Sequence, residues 1–282
     1  MSTDHKLVLP VIDLANFPKE LEKLAAAATG LGSFRIVNHG MSPMLTEEMK
    51  AAERQFLEAF NIYDASSMTD IRSFCSLLDT TTQQRCDHGV YSEIISAYIE
   101  KLHDVAINIA GKVAESVGYI LGGTSFDEWP CLTRLNFFVF KVEEDIGCIG
   151  VPAHTDSGFL SVLQEDVCVG GLEIMNSDGN FVSIDPVPGT LIVNIGDVGK
   201  VMVKVWSNGR LQNAKHRVIC KDAKSRISIN MFLLAAKDDR VEPEAIFVDS
   251  EHPRIYQTFS FNEYHKLRDA SGFIAGEILP LL

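Results

Sequence analysis

The apolar residues of this chain change their period near its middle. From about Tyr91 to Leu121, Ile94, Ile95, Tyr98, Leu102, Val105, Ala106, Ile109, Val113 and Val117 recur at spacings of three and four, which predicts one long amphipathic helix. Beyond Thr133 that period gives way to short β-branched or aromatic runs: Thr133–Lys141, Phe159–Gln164, Leu172–Met175, Phe181–Ile184, Thr190–Ile195, Val201–Trp206, His216–Cys220 and Arg226–Leu234. Turn signals separate them, among them Gly170-Gly171, Ser177-Asp178-Gly179, Pro186-Val187-Pro188-Gly189 and Ser207-Asn208-Gly209. About eight strands at such spacing suggest a barrel or a double-sheet jelly roll. Ahead of the long helix, strand candidates Leu9–Leu14 and Phe34–Val37 precede helix candidates Pro18–Leu31 and Pro43–Phe60, the latter opening on Ser42 as a cap. No charged or Pro-rich linker divides the halves, so helices are expected to pack around one β core.

Charge narrows the partners. Asp and Glu exceed Lys and Arg enough to leave a net charge of −13, which argues against nucleic acid and against an anionic membrane surface, both of which are held by basic residues. No signal peptide is read at the N-terminus, and no run reaches the roughly 18 apolar residues of a membrane span. The six cysteines, Cys75, Cys86, Cys131, Cys148, Cys168 and Cys220, form no C-x-x-C pair, as expected of reduced thiols in the cytoplasm.

His154-Thr155-Asp156 stands just before an alternating strand, and residues i and i+2 of an extended segment point the same way. His216, opening a later strand, offers a third ligand. Two imidazoles and one carboxylate on one side of a metal leave its other positions open, as in non-haem Fe(II) oxygenases; the same donors with water describe zinc hydrolases. Arg226-Ile227-Ser228 sets two polar residues at i and i+2 in an otherwise apolar strand. A guanidinium facing a β core needs an anionic partner, which an internal Asp or Glu or a ligand carboxylate would supply; on a strand edge it would sit in water.

These residues, with Leu9-Pro10-Val11-Ile12-Asp13-Leu14, Gly32 to Gly40, Asn194-Ile195-Gly196-Asp197, Trp206-Ser207-Asn208-Gly209 and His216-Arg217-Val218, carry a resemblance over nearly the whole chain. The sequence resembles the plant 2-oxoglutarate and Fe(II)-dependent dioxygenases. Within them, His154 to Leu160, Gly170-Gly171-Leu172-Glu173 and Trp206 to Cys220 are most similar to the dioxygenases for auxin oxidation. The resemblance implies an α+β, mainly β fold: a double-stranded β-helix (jelly-roll) core over 126–240, an N-terminal helical and strand region over 1–125, and a C-terminal tail and helix over 241–282 packed on the core. It implies that His154, Asp156 and His216 bind Fe(II), and that Arg226 and Ser228, with Asn136 and Phe138 beside them, hold 2-oxoglutarate. O2 would be the oxidant and ascorbate an auxiliary reductant. The expected reaction couples decarboxylation of 2-oxoglutarate to hydroxylation of a small organic substrate, indole-3-acetic acid or a specialised metabolite, in a monomer.

Three departures set against this an alternative: a catalytically impaired relative acting as a binding or regulatory protein, or a splice variant. Phe138 stands where relatives have a tyrosine whose hydroxyl helps hold 2-oxoglutarate, and a lost hydrogen bond to a charged group costs about 1.5–3 kcal/mol. Relatives carry a further segment after the helix ending near Phe60. Gly199 to Val205 adds residues on the path to His216. Among the other candidates, His39 is read as structural, and His5, His88, His103, His252 and His265 as solvent-facing or capping. Glu165-Asp166 is read as a solvated loop, Asp197 as a turn or supporting acceptor, Trp206 as packing, and Phe137, Phe138 and Phe140 as pocket lining or core.

Overall fold

The computed structural model describes residues 6–53, 60–63, 88–119, 126–140, 142–198, 210–235, 240–241, 248–251, 253–254 and 258–271. Its strands are β1 Val11–Asp13, β2 Ser33–Val37, β3 Phe60–Tyr63, β4 Cys131–Phe138, β5 Ile149–His154, β6 Leu160–Gln164, β7 Leu172–Met175, β8 Phe181–Ser183, β9 Leu191–Ile195, β10 His216–Ile219, β11 Arg226–Leu233, β12 Arg240–Val241 and β13 Phe259–Ser260. The helices are α1 Leu21–Gly30, α2 Pro43–Glu53, α3 His88–Ser116 and α4 Phe261–Ser271. Seven strands form one sheet in the order β1-β2-β9-β6-β11-β4-β3, and four form a second in the order β5-β10-β7-β8. Every pairing is antiparallel except β1 with β2. This is the expected jelly roll with flanking helices.

The apolar pattern explains the layering. The stripe on α3 (Ile95, Tyr98, Ile99, Leu102, Val105, Ala106, Ile109 and Val113) is buried in one cluster with Ile229, Met231 and Leu233 of β11 and Val162 of β6. Its helical spacing is what lets one face of a 29-residue helix cover the sheet. A smaller cluster lies on the opposite side of the large sheet, where Leu163 and Ile192 meet Leu172, Ile174 and Val218 of the second sheet. Strands β6 and β9 are therefore buried on both faces, and their runs Leu160–Gln164 and Leu191–Ile195 read as nearly continuous apolar stretches instead of alternating ones. In β11 the alternation survives. Ile229, Met231 and Leu233 face the helix layer while Arg226, Ser228, Asn230 and Phe232 face the space between the sheets.

Two elements differ from the sequence expectation. The helix begun at Pro43, with Ser42 accepting from the Leu45 amide, is seen as far as Glu53, and Phe60–Tyr63 is a strand paired with β4. Edge pairing along Leu132 to Leu135 overrides the local helical preference there. Strand β5 was not expected at all, because Gly150, Pro152 and Ala153 are poor strand formers. It lies at the edge of the four-stranded sheet, where a proline is tolerated. The inferred gap after Phe60 borders residues outside the described ones, and the extra residues Gly199 to Val205, the strand Val201–Trp206 and the Trp206 to Gly209 turn also lie outside them. No described helix is long and apolar enough to cross a membrane.

Candidate active site

The register of the small sheet brings two histidines together. β10 runs antiparallel to β5 with His216 opposite His154, and the ring centroids are 4.4 Å apart. The chain then turns after β5 so that Asp156 Oδ1 stands 3.6 Å from His154 Nε2 and 3.7 Å from His216 Nε2. Among the described residues these three form the one metal-capable cluster, with all their ligand atoms within 4.8 Å of one another. His154 Nδ1 lies 2.8 Å from the Pro152 carbonyl and His216 Nδ1 lies 3.0 Å from the Ala214 carbonyl. A carbonyl only accepts, so each Nδ1 donates there and each Nε2 faces the shared point.

Asp156 is 2% exposed, and burial opposes its ionisation; His216 and His154, with a hydrogen bond from Ser161, outweigh that and hold its carboxyl well below the usual range. Burial pushes the His216 imidazole below its ordinary value, against the pull of Asp156. The result is an anionic oxygen beside two imidazole nitrogens, a nitrogen and oxygen donor set that fits Fe(II).

Residues of both sheets enclose a cavity of about 70 Å³ next to this cluster. Arg226 and Ser228 of β11 and Asn136 and Phe138 of β4 line one side of it, and His154 and His216 line the other. The pairing puts Arg226 opposite Phe138 and Ser228 opposite Asn136. Arg226 is 2% exposed; its Nη1 donates to Ser228 Oγ at 3.1 Å, and its guanidinium carbon sits 5.6 Å from the centre of the Phe138 ring. Phe138 thus turns a ring face to the cation where a phenol would offer a hydroxyl. Phe138 stacks on Phe140 at 6.2 Å, while Phe137 points to the opposite side of β4.

The internal acids sort the alternatives for Arg226. Glu165 and Asp166 do not form the solvated loop that their sequence suggested: they are 6% and 7% exposed. Glu165 pairs with the buried Arg35 at 2.6 Å, and Asp166 accepts from the Ile227 and Cys168 amides. Burial raises the Glu165 carboxyl above its ordinary value, and Arg35 and then Arg226 pull it back. Glu165 forms its ion pair with Arg35, and Arg226 lines the cavity. His39 is structural, as expected, with Nε2 3.3 Å from the Gly189 carbonyl and Nδ1 accepting from the Met41 amide. His103 Nε2 is buried, contrary to the solvent-facing reading. His5 and His252 and the side chains of His88 and His265 lie outside the described residues.

Sequence reasoning read Asp197 as a turn or supporting acceptor, which it is, but passed over the partners that gather on it beneath the Thr155–Asp156 loop. Asp197, fully buried, accepts from Thr155 Oγ1 at 2.9 Å, Asn213 Nδ2 at 2.6 Å, Arg268 Nη1 at 3.0 Å and the Tyr264 hydroxyl. Arg268 Nη2 also donates to the Thr155 carbonyl at 2.8 Å, and the Asp197 amide donates to that of Asp156. Burial and the Asp197 carboxylate push the Tyr264 hydroxyl above its usual range, so it stays a donor. Tyr264 and Arg268 lie one helical turn apart on α4 and carry no motif of their own; only that i, i+4 spacing hinted at a shared target. Gly196 completes the support. A Cβ there would collide with the Gly158 and Asp156 carbonyls.

Comparison with known proteins agrees with this geometry. Residues 129–235 match the 2OG-Fe(II) oxygenase superfamily. The chain is 42% identical over 309 aligned positions to the 2-oxoglutarate-dependent dioxygenase DAO of Oryza sativa, covering 97% of this chain and 98% of the relative. Those positions outnumber the 282 residues of this chain, so part of the relative's length has no counterpart here. The crystal structure of the rice dioxygenase for auxin oxidation superposes with a TM-score of 0.86 at 42% identity, over 98% of this chain and 99% of that one. Dioxygenase for auxin oxidation 1 from Arabidopsis thaliana, in a binary complex with 2-oxoglutarate, superposes with a TM-score of 0.78 at 38% identity, over 88% of this chain and 100% of that one.

Proposed function

This chain belongs to the 2OG-Fe(II) oxygenase superfamily, and from that premise we propose that its organic substrate is the auxin indole-3-acetic acid. It is a 2-oxoglutarate- and Fe(II)-dependent dioxygenase. The residue roles proposed are His154, Asp156 and His216 as the iron ligands, and Arg226 and Ser228, beside Asn136 and Phe138, as the seat of 2-oxoglutarate. One observation carries this reading: the His154–Asp156–His216 cluster adjoins, through its two histidines, the same cavity that Arg226 lines from the opposite sheet.

Bound iron supplies the redox chemistry, with O2 as oxidant and ascorbate as the reductant that keeps it ferrous. The balance is substrate C–H plus 2-oxoglutarate plus O2 giving substrate C–OH, succinate and CO2. The residues of the chain position and exclude. The two Nδ1 protons, committed to backbone carbonyls, fix both imidazoles with Nε2 facing inward. Ser161 holds the second oxygen of Asp156, leaving Oδ1 toward the histidines. The Arg226 and Ser228 donors match the distal carboxylate of a five-carbon diacid. Leu163, Leu172 and Val218 close the apolar side of the cavity and keep water from the reacting carbon.

The four described cysteines are free thiols, which supports a cytoplasmic setting. An impaired binding protein is the less favoured reading, because no ligand of the metal set is replaced or turned away. The test is succinate formed from 2-oxoglutarate by the Fe(II)-loaded protein, with and without indole-3-acetic acid. Stimulation by the acid, with a hydroxylated product, is expected; absence of succinate under both conditions would overturn the assignment.

A further inference from the structure

The β4–β11 pairing lays three polar rungs along the cavity. Arg226 faces Phe138, Ser228 faces Asn136, and Asn230 faces Arg134. All six line the cavity, and Phe232 follows on the same face of β11. Rungs two residues apart are spaced by about 7 Å, so the third lies roughly 14 Å from the first. The first two rungs are those proposed for 2-oxoglutarate. The third holds another guanidinium that this role does not use.

Arg134 is exposed at the cavity rim, and among the described residues no carboxylate lies within ion-pairing distance of it. Its neighbour Asn230 is 8% exposed, and the buried oxygen of its amide has no hydrogen-bond partner. An unsatisfied buried amide is costly, so a water or a ligand in the cavity must supply its partner. The two ends of an amide are interchangeable by rotation, so Asn230 can serve as donor or acceptor there. In a chain of net charge −13, a cation opening into the reaction cavity concentrates anions at that one point. Phe232, one rung further, adds a flat apolar surface.

We infer that Arg134, assisted by Asn230, binds the carboxylate of the organic substrate, so that the enzyme selects flat amphipathic acids over their neutral counterparts. The inference rests on the proposed function and names its substrate class and the specificity residue. Arg134 acts by orientation: a forked guanidinium pins the carboxylate at the rim and presents the remainder of the molecule toward His154 and His216.

The test uses indole-3-acetic acid and its neutral amide, indole-3-acetamide, titrated calorimetrically against the full chain loaded with Mn(II) and 2-oxoglutarate. Parent protein is expected to bind the acid at least about tenfold more tightly than the amide. Arg134→Gln is expected to weaken the acid by about tenfold to a hundredfold, the range for one charge-assisted pair, and to leave the amide unmoved. Arg134→Lys should restore part of the loss, and 2-oxoglutarate affinity should stay within about twofold of parent in both variants. Equal binding of acid and amide by parent, binding of neither, or a loss in Arg134→Gln shared by the amide or by 2-oxoglutarate would overturn the inference. Succinate release separates it from the function it rests on. Equal stimulation by acid and amide removes the Arg134 role and keeps the dioxygenase, whereas acid-selective binding without any succinate does the reverse.

Discussion

Arg268 donates to Asp197 across 3.0 Å, and through that bond helix α4 holds the loop on which Asp156 sits. The same guanidinium reaches the carbonyl of Thr155, which stands between His154 and Asp156. Arg268→Ala therefore removes two donors from beneath the site while leaving every ligand in place. Expected is a drop in metal affinity of about tenfold to a hundredfold, with a stability loss of about 2–3 kcal/mol from the buried carboxylate left short of partners. Co(II) titration and denaturant unfolding, run side by side, measure the two; unchanged metal affinity would contradict the support role.

Phe138→Tyr restores a hydroxyl beside Arg226. The site would gain a hydrogen bond to a charged group, and 2-oxoglutarate should bind about tenfold more tightly, read by calorimetry with Mn(II) in place of iron. Arg226→Ala should weaken 2-oxoglutarate by at least about a hundredfold and spare the metal. Asp156→Ala should do the opposite. Equal metal loss in both would undo the division of labour.

Burial holds the His216 imidazole below its ordinary value of 6.5, so the ring stays neutral further into acid than a free histidine. Protonation competes with metal, so affinity is full above the pKa of the ring and is lost as pH falls through it. Co(II) affinity should thus change little from His216 between about pH 7.5 and 6.5, then fall by up to about tenfold per pH unit for each proton taken up. In the metal-free protein the sign is the same: the unfolded chain takes up its proton first, so stability drops as pH descends below 6.5.

Gly196→Ala places a methyl against the Gly158 and Asp156 carbonyls. Backbone cannot yield as a flexible side chain would, so the Asp156 turn must move. Loss of metal binding with most of the secondary structure retained is expected, checked by circular dichroism and Co(II) absorption together.

The parts of this site legible in the sequence are those set by local periodicity. His154 and Asp156, and Arg226 and Ser228, stand two apart in extended chain, and the stripe on α3 repeats at helical spacing. What could not be read depends on pairing between distant segments. β5 carries His154 through Gly150, Pro152 and Ala153, which no strand propensity favours; the hydrogen bonds of β10 make it a strand. Glu165 looked like solvent-facing charge because Arg35, which buries it, lies 130 residues earlier. Tyr264 and Arg268 look like ordinary residues of a polar helix until Asp197 comes beneath them.

Pro152 has a consequence beyond tolerance of a proline at a sheet margin. It has no amide proton, and its carbonyl is already taken by His154. The residue two before His154 therefore offers a passing strand neither a donor nor a free acceptor, so the border of the small sheet is poorly suited to recruiting another molecule by backbone zippering. Fixing the orientation of the His154 ring and guarding that border against self-association are accomplished by one and the same peptide unit.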